Sequence, residues 1–323
     1  MTYILVDTAN TFFRARHIVK DNNPETKVGL AMHIILNSIN KAWTDFDGSH
    51  VVFCLEGRSW RKDFYKKYKA NRTEARAALT EHEQEADKIF WESFDTFCQF
   101  INDKTNCTVL QDKQLEADDL IAGWIQQHPN DKHVIISSDS DFAQLVSDNV
   151  KQYNGISNTL TSIDGYFTDK GEPVVDKKTG EPKKAPNPEW LLFEKCMRGD
   201  PTDNVFSAYP KIRKTKLLEA YEDRKAQGFV WNNLMLAKWV DHEGVEHRVK
   251  EDYDRNRELI DLTQQPDHIK EIITSTIKSA TETPKNSSQV GVYLMKFCHL
   301  FDLQKIKDLA GQYAAPLNGR YGT

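Results

Sequence analysis

The chain has no apolar run of about 18 residues, so its sequence indicates no membrane-spanning helix. Its five cysteines (Cys54, Cys98, Cys107, Cys196 and Cys298) are odd in number and never fall in a CxxC spacing. A disulfide framework is therefore not expected, and buried free thiols in a reducing, cytoplasmic compartment are. The opening MTYILVDTAN lacks a basic leader and a cleavage site, and it reads as a first strand rather than a signal peptide. Ten histidines form no HxxxH pair, and the single His242–His247 spacing is too weak a signal to suggest zinc. GxSxG, Walker and GxGxxG loops are all missing, which excludes the usual serine-hydrolase and nucleotide-cradling sites. Position 9 is Ala, so Asp7 lacks the paired aspartate that an aspartyl-phosphate phosphatase needs. There is no internal repeat and no low-complexity tail.

What is present is 323 residues with 39% apolar and 28% charged side chains, enough for one large globular domain or two closely packed ones. The first half alternates short apolar strands with amphipathic helices, the signature of a mostly parallel sheet covered on both faces. Strands are predicted at 3–7, 51–55, 107–110, 133–137 and 150–154, with helices at 27–46, 84–102 and 116–127 and a short one from Phe142. The stretch 168–188 holds four prolines, two glycines and a run of lysines, and it reads as a loop or exposed hairpin around KKTG. From Pro188 the pattern turns helical, near 188–198, 211–226, 231–240, 252–263, 267–279 and 288–309. The last residues, PLNGRYGT, are expected to fray. The predicted class is α/β, with an α/β core over 1–187 and an all-helical region over 188–323.

Nine carboxylates fall in five short clusters where predicted elements end or begin. They are Asp7 in ILVDTAN, Glu56 in VVFCLEG, Glu116, Asp118 and Asp119 in LEADD, Asp139 and Asp141 in VIISSDSD, and Asp200 and Asp203 in RGDPTDN. Each has a local explanation. Asp7 or Asp139 can cap a following helix, Glu116 and Asp119 suit a first helical turn, and Asp200 and Asp203 suit an Asp-Pro turn. Capping accounts for one of Asp139 and Asp141 but not both. Together the clusters predict a site at the carboxyl edge of the sheet, where open α/β folds bind ligands. Carboxylates gathered there repel one another unless cations neutralise them. Oxygen-only ligands suit Mg²⁺ or Mn²⁺, and two such ions are a common device for hydrolysing phosphodiesters.

The formal charge of −5 does not argue against a nucleic-acid partner, because setting those nine carboxylates aside turns it into +4. Between Arg58 and Arg76 the sequence GRSWRKDFYKKYKANRTEAR places eight Lys or Arg among Trp60, Phe64, Tyr65 and Tyr68. Cations that track phosphates and aromatics that stack bases are how single strands are gripped, although a solvated helix with an apolar face has the same pattern. A second basic patch, Lys211, Arg213, Lys214 and Lys216, sits at a predicted helix start, against the helix dipole, and a phosphate partner explains it.

In this order the motifs resemble the 5′-nuclease superfamily, the flap endonucleases and 5′→3′ exonucleases of phage and bacterial replication, and within it the phage ribonuclease H type. VDTANTFFR carries Asp7, Asn10 and Arg14 of the first motif, and SWRKDFYKKYKANR resembles the arch segment. LEADDLIA, IISSDSDFAQLV and RGDPTDNV resemble three later metal-ligand motifs, and NRELIDLTQQPDHI resembles a C-terminal family segment. The resemblance spans about 3–270. It implies a helical arch, about 58–82, over the active site, and it places Tyr68, Lys69 and Arg72 near the scissile phosphate. The family usually has Asp where this chain has Glu56. After GDPTDN many members carry a glycine-rich hairpin that binds duplex backbone and a potassium ion. FSAYPKIRKTK lacks those glycines, which argues against a potassium site and leaves duplex contact to basic side chains.

The implied activity is Mg²⁺-dependent 5′→3′ exonuclease and flap endonuclease cleavage, with RNase H action on RNA–DNA hybrids, in primer removal during phage DNA replication in the host cytoplasm. The nine carboxylates would hold two Mg²⁺, or Mn²⁺ in their place, and Lys69 and Arg72 would act as catalytic cations. Arg14, Arg58, Arg61, Lys62, Lys66, Lys67 and Tyr68, with the 211–216 patch, would bind DNA bearing 5′ flaps, nicks or ends. Replication proteins such as a single-strand binding protein come with that role. The rivals are a PIN-type ribonuclease, which would be much shorter and lack the arch, and a catalytically silent DNA-binding accessory protein.

Overall fold

The computed structural model describes residues 1–15 and 23–322. In chain order, β1 (Thr2–Asp7), α1 (Thr8–Ala15), α2 (Pro24–Asp45) and β2 (His50–Cys54) lead to two short helices, α3 (Arg61–Phe64) and α4 (Ala70–Ala77). Then come α5 (Glu81–Lys104), β3 (Thr108–Leu110), α6 (Ala117–Gln127), β4 (Lys132–Ile136), a 3₁₀ turn (Ser140–Leu145) and β5 (Val150–Asn154). Strands β6 (Thr159–Ser162) and β7 (Gly165–Thr168) precede α7 (Pro188–Arg198), α8 (Lys214–Asp223), α9 (Phe229–Leu236), β8 (Lys238–Val240) and β9 (Glu246–Arg248). The chain closes with α10 (Val249–Ile260), α11 (Asp267–Glu282), α12 (Val290–Leu300), α13 (Gln304–Asp308) and α14 (Ala310–Asn318).

By internal contacts the chain divides into two compact units. One comprises 1–58, 79–186 and 268–323, and the other 59–78 and 187–267. One unit edge falls between 186 and 187. The arch segment, however, packs with 187–267, and the last fifty or so residues pack with the sheet.

The first unit holds a seven-stranded sheet of order β3-β2-β1-β4-β5-β6-β7. The first five strands in that order are parallel, and β6 and β7 add an antiparallel edge that the apolar pattern did not reveal. Alternation decides which side each residue faces. Ile4, Val6, Val51, Phe53, Val134 and Ile136 join one core with apolar residues of α2, α5 and α12. Tyr3 points the other way, its ring 5.2 Å from Trp124 of α6. Helix α2 starts on the Asn23 side chain with Pro24 in its first turn, and α5 starts on a Thr80–Glu83 capping box.

The C-terminus is not frayed. Helix α14 buries Leu317, and the Tyr321 ring lies 5.6 Å from Trp124 and 6.3 Å from Tyr3. Apolar side chains at Tyr313 and Leu317, four apart on one helix face, supply the burial that holds it. The final Thr323 lies outside the described residues.

The second unit is helical apart from one hairpin. The expected helix at 231–240 stops at Leu236, and β8 pairs with β9 antiparallel. In KWVDHEGVEHR the period changes from helical to alternating around a turn at Gly244, whose φ of 82° suits glycine. The core of this unit gathers Phe193, Met197, Leu217, Leu234 and Val249. A smaller cluster packs Tyr68 against Cys196, Val205, Leu259 and Ile260.

Candidate metal centre and basic segment

Seven of the nine carboxylates lie in the first unit, at the carboxyl ends of adjacent parallel strands. Asp7 is the last residue of β1 and pairs with Cys54 of β2, while Val6 pairs with Ile136 of β4. This register sets Glu56 and Ser137 beside the end of β1. Glu116 is the residue before α6, and its N–H donates to Asp119 Oδ2 at 3.3 Å. Ligand oxygens of Glu116, Asp118 and Asp119 lie within 4.8 Å of one another. Asp139 caps the 3₁₀ turn by accepting from the Asp141 N–H at 2.9 Å, so capping and membership of the cluster coexist. Gly57 fixes the approach of β2 to the loop before α6. A Cβ there would meet Asp112 O at 2.0 Å, and the Gly57 N–H donates to Leu115 O at 2.8 Å.

Electrostatics ties the cluster together. Burial pushes the Asp7 carboxyl up to about 8, and the charges of Glu56 and Asp139 push the same way against hydrogen bonds from Ser137 and the Asn10 amide. Glu56 Oε2 accepts the Ala117 N–H at 3.3 Å, so its extra methylene reaches the amino end of α6. Burial, Asp7 and Glu56 together raise the Cys54 thiol well above its ordinary range. An oxygen-only set in which one acid is forced towards neutrality is the charge excess that a hard divalent cation relieves.

A supporting layer joins Asn10 of the first motif to Ser137, Ser138 and Gln152, which the motifs do not single out. The Ser137 hydroxyl donates to Asp7 Oδ2 at 2.7 Å and accepts the Asp139 N–H at 3.0 Å. Gln152 Nε2, on β5, donates to Ser137 O at 3.1 Å and to Asp139 O at 2.5 Å. Asn10 Oδ1 accepts both the N–H and the hydroxyl of Ser138, at 3.1 and 2.7 Å. The doublet of serines before DSD was the available signal for Ser137 and Ser138. Gln152 had none, because only the β4–β5 pairing brings it there. A cleft of about 870 Å³ elsewhere in this unit, beside Glu25, His33 and Lys305, contains none of the expected site residues.

Asp200 and Asp203 lie in the second unit. Burial alone would raise Asp200, but a 2.8 Å ion pair with Lys195 and the Thr202 N–H outweigh it and hold its carboxyl below the usual range. Asp203 binds Tyr68 and Arg72 at 3.1 and 2.7 Å, with Lys69 Nζ at 3.5 Å. The turn carrying both acids leaves α7 at Gly199, whose φ of 75° and 2.3 Å Cβ approach to Val205 O require glycine.

The basic segment is less open than expected. Arg61 is fully buried, and its Nε donates to Leu259 O at 2.8 Å, so its charge is spent inside the protein rather than on nucleic acid. Trp60 and Tyr68 are buried too, at 5% and 3% exposure, which removes them as open stacking platforms; Phe64 stays exposed. Apolar bodies on these side chains favour the core, and composition cannot tell stacking from packing. Arg58, Lys66, Lys67 and Arg72 are exposed, and Lys62 and Lys69 are half-buried. Arg14, in the last turn of α1 in the first unit, is also exposed. Lys211, Arg213, Lys214 and Lys216 are all exposed, at a helix start with no side-chain cap and no acid in its first turn.

The sheet and its acid-lined edge define an α/β protein carrying the ligand set that hard divalent cations take. The chain belongs to the 5′-3′ exonuclease family, within the 5′-nuclease superfamily: the model of that family's N-terminal, resolvase-like domain matches residues 2–177. DNA polymerase I of Rhizobium leguminosarum is 30% identical over 239 residues, covering 68% of this chain and 20% of that protein. The chain thus spans about a fifth of that relative. Ribonuclease H of Enterobacteria phage T4 is 28% identical over 281 residues, covering 80% of this chain and 81% of that protein. A solved structure of the bacteriophage T5 flap endonuclease, a pseudo-enzyme-product complex with DNA and metal ions, matches with a TM-score of 0.59 at 18% identity. That match covers 88% of this chain and 100% of the other, and it is a likeness of fold.

Proposed function

We propose that this chain is a divalent-metal-dependent 5′ nuclease that hydrolyses phosphodiesters near the 5′ ends of DNA and of RNA paired to DNA, in primer removal during phage replication. The observation that carries this reading is the gathering of seven carboxylates at one sheet edge, with Asp7 forced to about 8. Asp7, Glu56, Glu116, Asp118, Asp119, Asp139 and Asp141 would hold two Mg²⁺. Asp200 and Asp203 are further ligands in this proposal, and their ligation requires exchange away from Lys195 and from Tyr68 and Arg72. The ions would supply Lewis-acid activation of water and stabilisation of the leaving 3′ oxygen.

The chain's own part is electrostatic. Ser137 and Gln152 orient Asp7 and the Asp139 backbone, so these two acids need little rearrangement on binding cations. Lys69 and Arg72 offset charge developing on the phosphoryl oxygens. Exposed cations of 58–72 and 211–216 track the strand and the duplex, so in this reading DNA binding falls chiefly to the helical unit. The likeness to the phage T4 ribonuclease H supports RNA–DNA hybrids as substrates, and a 27% identical flap endonuclease of Escherichia phage T5 supports flapped DNA.

The test is a purified preparation incubated with 5′-labelled nicked or flapped duplex and with a labelled RNA–DNA hybrid. Release of label with Mg²⁺, and none in EDTA, is the expected result. Tight binding without metal-dependent release would instead favour a silent DNA-binding accessory protein.

A further inference from the structure

Three side chains of the basic segment converge on one carboxylate of the same unit. The Tyr68 hydroxyl donates to Asp203 Oδ2 at 3.1 Å, Arg72 Nη2 donates to Oδ1 at 2.7 Å, and Lys69 Nζ stands 3.5 Å from Oδ2. Main-chain bonds reinforce the junction. The Lys69 N–H donates to Asp203 O at 2.8 Å, Asn71 Nδ2 to Thr202 O at 3.3 Å, and Asn204 Nδ2 to Lys67 O at 2.8 Å. Lys69 and Asn204 both sit in the left-handed region, with φ of 53° and 56°. Residues with side chains enter that region at a cost, so tertiary bonds hold both in place.

One neutral and two cationic donors around a two-oxygen anion is the arrangement that receives a phosphodiester. Here the anion is the protein's own. We propose that Asp203 is a positioning residue that stands in for the substrate phosphate. It keeps Tyr68, Lys69 and Arg72 assembled when no nucleic acid is bound, and the incoming phosphodiester must displace it from them. The inference rests on the reading of Lys69 and Arg72 as phosphate-contacting groups. Its consequence is a competition: the carboxylate preorganises the donors and lowers the apparent affinity for nucleic acid.

The experiment uses the full chain in EDTA, so that cleavage plays no part, and a fluorescent 5′-phosphorylated single strand as the probe. Asp203→Asn is compared with Asp200→Asn, an equal change of charge in the same turn at a residue bonded to Lys195 instead. Asp203→Asn is expected to bind on the order of tenfold tighter than the parent, and Asp200→Asn within about twofold of it. Asp203→Asn should also speed trypsin cleavage within 59–78, and Asn204→Ala should speed that cleavage without tightening binding. Equal tightening in both aspartate variants would reduce the effect to net charge and overturn the proposal, as would weaker binding by Asp203→Asn or no binding by any form. A measurement on the parent protein guards against a folding defect. The Arg72 side-chain N–H resonance should shift as the probe is added, and an unmoved resonance overturns the proposal. A parent that binds the strand but never cleaves with Mg²⁺ would sink the nuclease reading and leave this comparison standing.

Discussion

At the amino edge of the parallel strands, His50 and His133 lie buried with Tyr3 among Trp124, His128 and Tyr321. At the carboxyl edge of the same strands, Asp7 lies buried beside Glu56 and Asp139. Burial is the largest influence at both ends and favours the neutral form at both, holding the two histidines near 4 and Asp7 near 8. The difference lies in the neighbours. His50 finds a partner at each nitrogen, Gly319 O at 3.0 Å and Thr108 Oγ1 at 2.7 Å, and it stays neutral at ordinary pH. Asp7 faces other acids, so its end of the sheet is relieved by a proton or by a cation. One edge is finished by packing, and the other is left needing a ligand.

The widest separation between the edges should appear in activity. Asp139→Asn is expected to abolish metal-dependent cleavage, a loss of at least about 10³-fold, while sparing DNA binding. Single-turnover assays and binding in EDTA check this, and retention of most activity would remove Asp139 from the centre. A smaller break comes from the supporting layer. Ser137→Ala should weaken Mn²⁺ affinity by about 10–100-fold by calorimetry, with far-ultraviolet circular dichroism unchanged. Unaltered affinity would make the Ser137 hydroxyl a packing group.

The edges should also separate on a pH axis. The histidines have depressed values, so their stabilisation is complete above about 6.5 and is lost as pH falls towards 4. Asp7 has a raised value, so in metal-free protein its stabilisation is complete below about 4 and is lost as pH rises to 8. Between pH 6.5 and 8 Asp7 carries the larger change, because the folded histidines are already neutral and only the unfolded chain's imidazoles lose their last protons there. The melting temperature in EDTA should therefore drop by a few degrees over that interval, and Asp7→Asn should flatten the drop. A slope that survives Asp7→Asn would detach it from this carboxyl. The smallest effect is expected from His133→Phe. Among the described residues neither ring nitrogen of His133 has a hydrogen-bond partner, so the change should alter stability at pH 7.5 by less than about 1 kcal/mol and leave cleavage intact. A large loss of either would mean that the amino edge is more than packing.

Much of the architecture was legible because its signals are local. Apolar strands at 3–7 and 150–154 and the helix at 188–198 need only periodicity and turn residues, and they appear within a residue or two of expectation. The pattern at 231–240 reads as helix through Lys238–Val240, the first strand of the hairpin, since a three-residue strand gives too little alternation to compete with the helical pattern before it. Arg61 and Tyr68 were assigned to nucleic acid on type and spacing. Their partners, Leu259 and Asp203, lie more than a hundred residues away.

The sequence by itself determined the chemistry available: where strands end, which of those ends carry acids, and where positive charge is concentrated. These follow from side-chain type and from interactions within a few residues. The tertiary structure alone decided how each charge is spent. It set Gln152 on the backbone of Asp139, gave Asp203 to Tyr68 and Arg72, and enclosed Arg61, because desolvation and pairing depend on neighbours brought close only by folding.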